Sequence, residues 1–256
     1  MTCSALILAG SRAGEADALA ASEGVSHKAL IELEGLPLLA RVHAALTAAG
    51  MERIAVCASD PEVIALAERL GAVVTEPADG PSGSVARAFA RLGAPMVVTT
   101  ADHALLRPRW VRQFIEKTPP DADVAILLAR RAAVEAAMPG SRRTWLRFAD
   151  GEWSGCNLFH LATSRAEAAI ESWAGVEADR KRPWRIAARL GYGTLWNYWR
   201  GRLTMQGAVA RLGRQIGISA AVVSAADGLA AVDVDSMKDL ADIRALVAER
   251  RAGAGL

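Results

Sequence analysis

Short apolar runs alternate with amphipathic helical patterns through the first half of the chain. The apolar runs predict five strands, at Ala5–Ala9, Arg53–Cys57, Ala72–Thr75, Pro95–Thr100 and Ala122–Leu128. Apolar positions three or four residues apart predict helices between them, at Leu38–Ala49, from Pro61 onwards, at Ser82–Leu92 and at Arg107–Lys117. This alternation predicts an α/β fold of the Rossmann-like, three-layer α/β/α kind, in which helices cover both faces of a mostly parallel sheet.

The pattern changes after the fifth strand. It then predicts a hairpin, a helical region and two more strands, at Thr144–Ala149 with Glu152–Leu161, 165–216, Ala220–Val223 and Ala231–Val234. Asp150-Gly151 suits the two-residue turn of the hairpin. Gly-Tyr-Gly at 191–193 interrupts the helical region. Ser236 predicts the N-cap of a last helix that runs to Arg250, with Asp239 as its acidic capping partner.

Length and composition indicate a single cytoplasmic domain. The chain has 256 residues, which suits one domain, and 52% of them are hydrophobic, which is ample for a core. No apolar run reaches the ~18 residues that span a bilayer, and no basic segment precedes the first apolar run. Cys3, Cys57 and Cys156 lie far apart and match neither a zinc nor a disulfide pattern, which indicates a reducing compartment.

Charge is distributed unevenly along the chain. Residues 130–214 carry fifteen Lys and Arg against seven Asp and Glu, a net charge of +8, so the remainder carries −6 of the total of +2. Six of the seven tryptophans also fall there. One interpretation is a solvated helical layer with Trp in its core. The other is a basic, aromatic surface that meets an anionic acceptor, a lipid headgroup region or a subunit. No recognised nucleic-acid motif accompanies the charge, so no nucleic-acid partner is expected.

The first strand runs into a glycine loop, Gly10–Gly14, and Lys28 follows fourteen residues later. Backbone N–H groups of such a loop bind anions, and a nearby cation completes a phosphate site. The loop lacks the Lys that follows the second glycine of a P-loop and the G-x-G-x-x-G spacing of a dinucleotide site. A tight turn without a ligand is the alternative interpretation.

The motif L-A-G-x-R-x-G, the later Lys28 and the G-x-P-L-L of Gly35–Leu39 together resemble the MobA-like nucleotidyltransferases. That family has the nucleotide-diphospho-sugar transferase (GT-A) fold. Its members usually read R-M-G, whereas here Ala13 precedes Gly14, and an unusually long Ala, Glu and Asp-rich loop precedes Lys28. The resemblance implies that Arg12 and Lys28 act on a triphosphate. It also implies nucleotide contacts from the end of the strand and the loop, at Leu8, Ala9, Gly10, Ser11 and Gly14.

Two carboxylates match metal-binding elements of the same family. Asp102 opens Asp102–Leu106, which resembles an Asp-x-Pro-Leu-Leu element whose Asp binds the metal, with Ala104 in place of the proline. Asp235 falls in a D-V-D segment that resembles the closing D-V-D-T-P-E-D-L motif, and it ranks above Asp233 as the second ligand. The implied cofactor is Mg²⁺. Helix capping is the alternative role for both Asp102 and Asp235, and His103 is expected to be structural.

Two further segments resemble ligand-contacting parts of the family. The segment Asp79–Ser84 resembles the loop along the nucleobase, which implies nucleotide contacts at Gly80, Pro81, Gly83 and Ser84. A turn followed by a Ser N-cap is the alternative. Asn157, in Gly155-Cys156-Asn157-Leu158, matches a later strand motif near the acceptor, although a structural Asn at a strand end is an equal alternative.

The resemblance implies an enzyme that transfers an NMP from an NTP, GTP or CTP, to a phosphorylated acceptor and releases pyrophosphate. The acceptor is expected to be a small molecule or a lipid precursor, with a possible peripheral membrane contact, and residues 130–216 form the acceptor side of the domain. A GT-A glycosyltransferase is an alternative, but the D-x-D typical of those enzymes is missing at Ala101-Asp102-His103. A non-catalytic nucleotide-binding module is the other alternative.

Overall fold

A computed structural model describes residues 3–10, 17–141, 143–178 and 191–254. The strands are β1 (Ser4–Leu8), β2 (Glu32–Leu33), β3 (Leu36–Pro37), β4 (Arg53–Cys57), β5 (Val73–Thr75), β6 (Met96–Thr100), β7 (Val124–Arg130), β8 (Leu146–Phe148), β9 (Gly151–Leu161) and β10 (Ala220–Ser224). The helices are α1 (Ala18–Ser22), α2 (Leu38–Ala49), α3 (Pro61–Arg69), α4 (Gly80–Leu92), α5 (Pro108–Lys117), α6 (Arg131–Ala137), α7 (Glu167–Ala178), α8 (Tyr192–Trp199), α9 (Met205–Gln215) and α10 (Met237–Ala254). Short 3₁₀ turns lie at Lys28–Leu30, Ser164–Ala166 and Gly228–Ala231.

The main sheet has the strand order β10-β7-β9-β6-β1-β4-β5, and β8 pairs with β9. The pairs β1–β4, β1–β6, β4–β5 and β10–β7 are parallel, whereas β9 runs antiparallel to both β6 and β7. Successive residues of β1 serve opposite faces. Leu6 joins the core cluster with α4 and α7, and Ile7 joins the cluster with α2, α3 and α5. The predicted three-layer α/β fold with a mostly parallel sheet is confirmed.

The predicted hairpin is present, but its two-residue turn is Ala149-Asp150 and not Asp150-Gly151, because Phe148 of β8 pairs with Gly151 of β9. The rest of β9 continues past the hairpin into the centre of the main sheet. Its register against β7 shifts between the pairs Ile126–Phe159 and Leu128–Gly155, which marks a bulge. Asn157 lies in this bulge with a left-handed φ of 47°.

The predicted strand Ala231–Val234 is wrong. Gly228–Ala231 forms a 3₁₀ turn, and the residues that follow belong to no ladder. The N–H of Val234 instead donates to the carbonyl of Asp102 at 3.0 Å, which ties this segment to the end of β6. The apolar run that suggested a strand reflects burial, because Val232 and Val234 are completely buried.

The other predicted elements differ less from the observed ones. The helical region predicted at 165–216 contains α7, α8 and α9 among its described residues, and Gly191 of the predicted interruption is the N-cap of α8. The predicted N-cap of α10 is present: the Ser236 hydroxyl accepts the Asp239 N–H at 3.2 Å and donates to its carboxylate at 2.6 Å. Among the helices of the described residues, none is long and apolar enough to cross a membrane.

Gly228 lets the 3₁₀ turn approach α6, and this contact yields a stability prediction. A Cβ at Gly228 would overlap the backbone of Ala133 and Val134. Gly228→Ala should therefore destabilise the fold by roughly 1–3 kcal/mol or more through overpacking. The matched control is Gly155→Ala, because an added Cβ meets nothing within 4 Å there. Urea unfolding measures both. Equal stability of the two variants would contradict the close approach.

Candidate nucleotide site

The carboxyl ends of four parallel strands meet at one edge of the sheet. β1 lies between β4 and β6, and the chain fills the β4–β5 side before it crosses to β6. Two backbone bonds join these ends: Ala9 N–H donates to Cys57 O, and Ala101 N–H donates to Leu8 O, each at 2.9 Å. Ligands of open α/β sheets bind at such a switch point, outside the strand ends.

Lys28 reaches this edge through a short capped turn. The Nδ1 atom of His27 accepts the Ala29 N–H at 3.0 Å and so caps the 3₁₀ turn Lys28–Leu30. The Lys28 ammonium then donates to Asp102 Oδ2, and it lies 3.4 Å from Asp235 Oδ1. Three residues that are far apart in sequence are therefore brought together, as the resemblance requires.

Asp102 is a buried carboxylate with one oxygen unused. Its side chain is 8% exposed, and within the described residues its Oδ1 atom has no hydrogen-bond partner. The alternative role as a helix N-cap is wrong, because α5 begins at Pro108 after Arg107. The capping alternative for Asp235 also fails, since Ser236 caps α10. The Asp235 side chain is instead 61% exposed and faces Lys28.

The charges around Lys28 favour its protonated form. Burial of Lys28 disfavours its ammonium, but the Asp102 and Asp235 carboxylates outweigh this effect and raise the pKa of Lys28. Among the described residues, no three His, Cys, Asp or Glu side chains form a group that could hold a metal ion by themselves. Two carboxylates, one with a free oxygen, fit the protein's share of a Mg²⁺ site that phosphate oxygens complete.

A second charged cluster, which we call the Asp233 cluster, lies beside the first. Arg143 Nη1 donates to Asp233 Oδ1, and Arg143 Nη2 donates to the Asp233 carbonyl at 3.1 Å. Asn157 Nδ2 donates to the other carboxylate oxygen at 2.6 Å. Because both oxygens of Asp233 have donors, this geometry favours Asp235 over Asp233 as a metal ligand. Sequence reasoning missed Arg143, which lies in a loop without a motif.

Asn157 was predicted to contact the acceptor, with a structural Asn as the alternative. The left-handed backbone at the β9 bulge is one that Asn tolerates better than most residues. This bend aims its amide at Asp233. Asn157 therefore has a structural bond, and an acceptor contact stays a prediction.

The segment at 79–84 forms the start of α4. The helix begins at Gly80, so Ser82 lies inside it and the alternative of a Ser N-cap is wrong. The Ser84 hydroxyl donates to Gly80 O and accepts the Ala78 N–H, each at 3.0 Å. A Cβ on Gly83 would lie 3.1 Å from the Ala78 Cβ. These residues shape the turn that follows β5, and their nucleotide contacts stay a prediction.

The remaining residues of the predicted site lie partly inside and partly outside the described part of the chain. Leu8, Ala9 and Gly10 end β1 at the switch point, whereas Ser11, Arg12 and Gly14 lie outside the described residues. His103 is buried beside Asp102, and its burial lowers its pKa to about 4. Its ring stacks at 6.4 Å from that of Trp110. A neutral, packed imidazole of this kind suits the structural role expected for His103.

Comparisons with known proteins agree with this arrangement. The model of the MobA-like NTP transferase domain matches residues 5–191. A hypothetical transferase structure from Thermus thermophilus is 30% identical, with a TM-score of 0.81 over 94% of this chain and all of that one. The chain therefore belongs to the MobA-like NTP transferase family and is a nucleotidyltransferase.

Two more distant structures share the fold. A nucleotidyl transferase from Methanothermobacter is 20% identical, with a TM-score of 0.61 over 97% of this chain and 99% of that one. CMP:2-keto-3-deoxy-manno-octonic acid synthetase, solved with CTP, is 18% identical, with a TM-score of 0.58 over 98% of this chain and all of that one. None of the curated proteins matches the sequence.

The Asp233 cluster yields a test of coupling. The side chains of Arg143 and Asp233 are only 9% and 11% exposed. Arg143→Met should cost about 3–5 kcal/mol of stability, because it leaves the carboxylate buried without its cation. Adding Asp233→Asn removes that charge, so the double variant should lose less than the sum of the single losses. Urea unfolding of all four proteins gives the coupling, and strict additivity would mean that the pair does not interact.

The cap of the Lys28 turn yields a pH prediction. Burial lowers the pKa of His27 below its ordinary 6.5, against the opposing effect of Asp60. Below pH 6.5 the unfolded chain then binds the proton more readily, so stability falls as the pH drops through the folded pKa. His27→Asn keeps a capping oxygen but does not titrate, so it should remove the His27 share of this loss, while buried histidines such as His103 still contribute theirs. Thermal unfolding at pH 7.5 and pH 5 measures it. Parallel losses in both proteins would exclude His27 as the titrating group.

Proposed function

We propose that this protein transfers an NMP from GTP or CTP to a phosphorylated small-molecule or lipid-precursor acceptor, with release of pyrophosphate. The observation that carries the proposal is the meeting of Lys28, Asp102 and Asp235 at the switch point of the sheet. Family membership supports NTP-dependent nucleotidyl transfer as the reaction. The geometry of the site supports the roles that we propose for its residues.

The nucleotide would lie across the end of β1 and the start of α4. Backbone amides of the Gly10–Gly14 loop would bind phosphate oxygens, and the turn at Gly80–Ser84 would flank the base. Lys28 is protonated at neutral pH, as an ordinary lysine is, because burial does not lower its pKa here. It would therefore donate to the triphosphate together with Arg12. In the structure, Asp102 and Asp235 hold this ammonium.

Asp102 and Asp235 would also hold Mg²⁺, which supplies neutralisation of phosphate charge when bound. The buried, unused Oδ1 atom of Asp102 is the feature that fits this role. Asp102 is held in place through its own backbone, because its carbonyl accepts the N–H groups of Ala104 and Val234 at 2.8 and 3.0 Å. This fixed backbone supports the proposal, because a carboxylate on it would face the phosphates without a rearrangement of the chain.

Chemistry at this site needs no nucleophile from the protein. An oxygen of the acceptor phosphate attacks the α-phosphorus in line, the bond from the α-phosphorus to its bridging oxygen breaks, and pyrophosphate leaves with the electron pair. Catalysis is then positioning and charge neutralisation. We assign the acceptor side to residues 130–216, with Asn157 at its inner end, in a single cytoplasmic domain.

Variants of the two charged partners test this function. Asp102→Asn should lower turnover at least ~100-fold, since a charged ligand is lost with little change of shape. Lys28→Ala should weaken NTP binding by roughly 1.5–3 kcal/mol, the value of charge-assisted bonds. Asp121→Asn and Lys117→Ala are the matched controls, because both residues are exposed and precede β7, at the end of the sheet opposite to the carboxyl ends of the strands. Pyrophosphate release from GTP or CTP with pooled phosphorylated acceptors measures turnover, and calorimetry measures binding.

Unchanged NTP affinity in Lys28→Ala, with unchanged turnover in Asp102→Asn, would refute this site. If no NTP yields pyrophosphate but a nucleotide sugar is consumed, the glycosyltransferase alternative replaces the proposal.

A further inference from the structure

Exposed apolar and aromatic side chains lie on helix α8 and strand β8, centred on the contacting side chains of Trp196, Trp199 and the C-cap residue Arg200. With Tyr198 and Leu146 on the side towards β8, they are here called the aromatic surface. The exposed fractions of Leu146, Trp196, Tyr198 and Trp199 are 44%, 55%, 49% and 77%, respectively. Large apolar side chains rarely cluster in contact with water on a soluble protein unless the surface binds something.

The fold holds this surface in a defined shape. Trp196 and Trp199 lie three residues apart on one face of α8, and their rings stack at 5.3 Å between centroids. The guanidinium of Arg200 lies 5.3 Å from the Trp196 ring. Tyr198 packs edge-on against Phe148 of β8 at 5.6 Å, which fixes the helix to the hairpin. Leu146 lies two residues before Phe148 and so shares its face of the strand.

The stretch of sequence that contains α8 carries charge of a single sign. Residues 180–226 contain nine Lys and Arg and no Asp or Glu. The acidic residues of the adjacent hairpin are both engaged: Asp150 accepts the Met205 N–H at 2.9 Å, and Glu152 pairs with Arg131 and Arg147. Among the described residues, no carboxylate forms an ion pair with Arg200 or Arg202.

We propose that the aromatic surface binds the protein peripherally to anionic lipid bilayers. Trp and Tyr side chains favour the headgroup level of a membrane, where an apolar body and a polar edge are both satisfied. Arg200 and Arg202 would meet the lipid phosphates. The proposal does not depend on the nucleotidyl transfer reaction, although it would place that reaction beside a membrane.

Two other occupants fit the surface less well. In an isologous dimer, the patch would face its own copy and bring unpaired arginines together. A single-stranded nucleic acid would need free ring faces for stacking, but the Trp196 ring already contacts Trp199 and Arg200. Charge and ring arrangement thus both favour a lipid surface.

Sedimentation with vesicles tests the proposal on the full chain. Vesicles of phosphatidylcholine alone are compared with an equimolar mixture with phosphatidylglycerol, at low and high salt. The protein should bind the anionic vesicles and be released by salt. Trp199→Ala should weaken this binding on the order of tenfold, by loss of one buried indole. Arg200→Gln with Arg202→Gln should weaken it roughly fivefold for each charge removed.

Matched controls separate the surface from general effects. Arg53→Gln with Arg69→Gln removes the same charge from exposed positions on β4 and α3, and Leu36→Ala removes an exposed apolar side chain from β3. These variants should bind vesicles like the wild type. Trp199 is 77% exposed, so its replacement should leave the fold intact, and circular dichroism verifies this.

Failure to bind anionic vesicles at low salt would overturn the proposal, as would binding that the surface variants and the controls weaken equally. A concentration-dependent mass by light scattering that Trp199→Ala abolishes would assign the surface to a second copy instead. Salt-sensitive binding of single-stranded oligonucleotides, lost in the same variants and without vesicle binding, would assign it to nucleic acid. NTP affinity, measured separately, should be unchanged in every surface variant.

Discussion

The Lys28 ammonium joins three segments that are remote in sequence: the capped turn after β1, the end of β6 and the segment before α10. Placing charges at a largely buried edge costs solvation free energy, and this cost is offset only when opposite charges meet at close range. The carboxylates offset it for Lys28, so its pKa rises despite burial. The segments that carry Asp102 and Asp235 must therefore be correctly placed for the Lys28 ammonium to be stabilised.

The Asp233 cluster holds in place the segment that also carries Asp235. Asp233 takes donors from Arg143, which lies in the loop before β8, and from Asn157, at the β9 bulge. Two residues further on, Asp235 faces Lys28. The N–H of Val234, which lies between them, donates to the backbone of Asp102. One short segment thus links both charged groups, with the Asp233 carboxylate bonded on both oxygens and the Asp235 carboxylate largely exposed.

The candidate nucleotide site and the aromatic surface have different physical origins. The nucleotide site depends on the ends of parallel strands, where backbone groups and carboxylates converge because of topology. The aromatic surface depends on local helix geometry, in which Trp196, Trp199 and Arg200 fall together because of their spacing. A change to either should leave the other intact, which makes the proposed nucleotide and membrane roles separable by experiment.

Local patterns in the sequence were sufficient for the alternating strands and helices, the presence of the β8–β9 hairpin and the Ser236 cap, because each depends on residues close in the chain. Motif resemblance also brought Lys28, Asp102 and Asp235 to one site, since the family's order of elements places them there. Three features are visible only in the tertiary structure: β9 lies antiparallel between β6 and β7, residues 232–235 form no strand, and Arg143 pairs with Asp233. These features follow from register, burial and packing between distant segments, such as Gly228 against α6, and periodicity along the chain carries no record of such contacts.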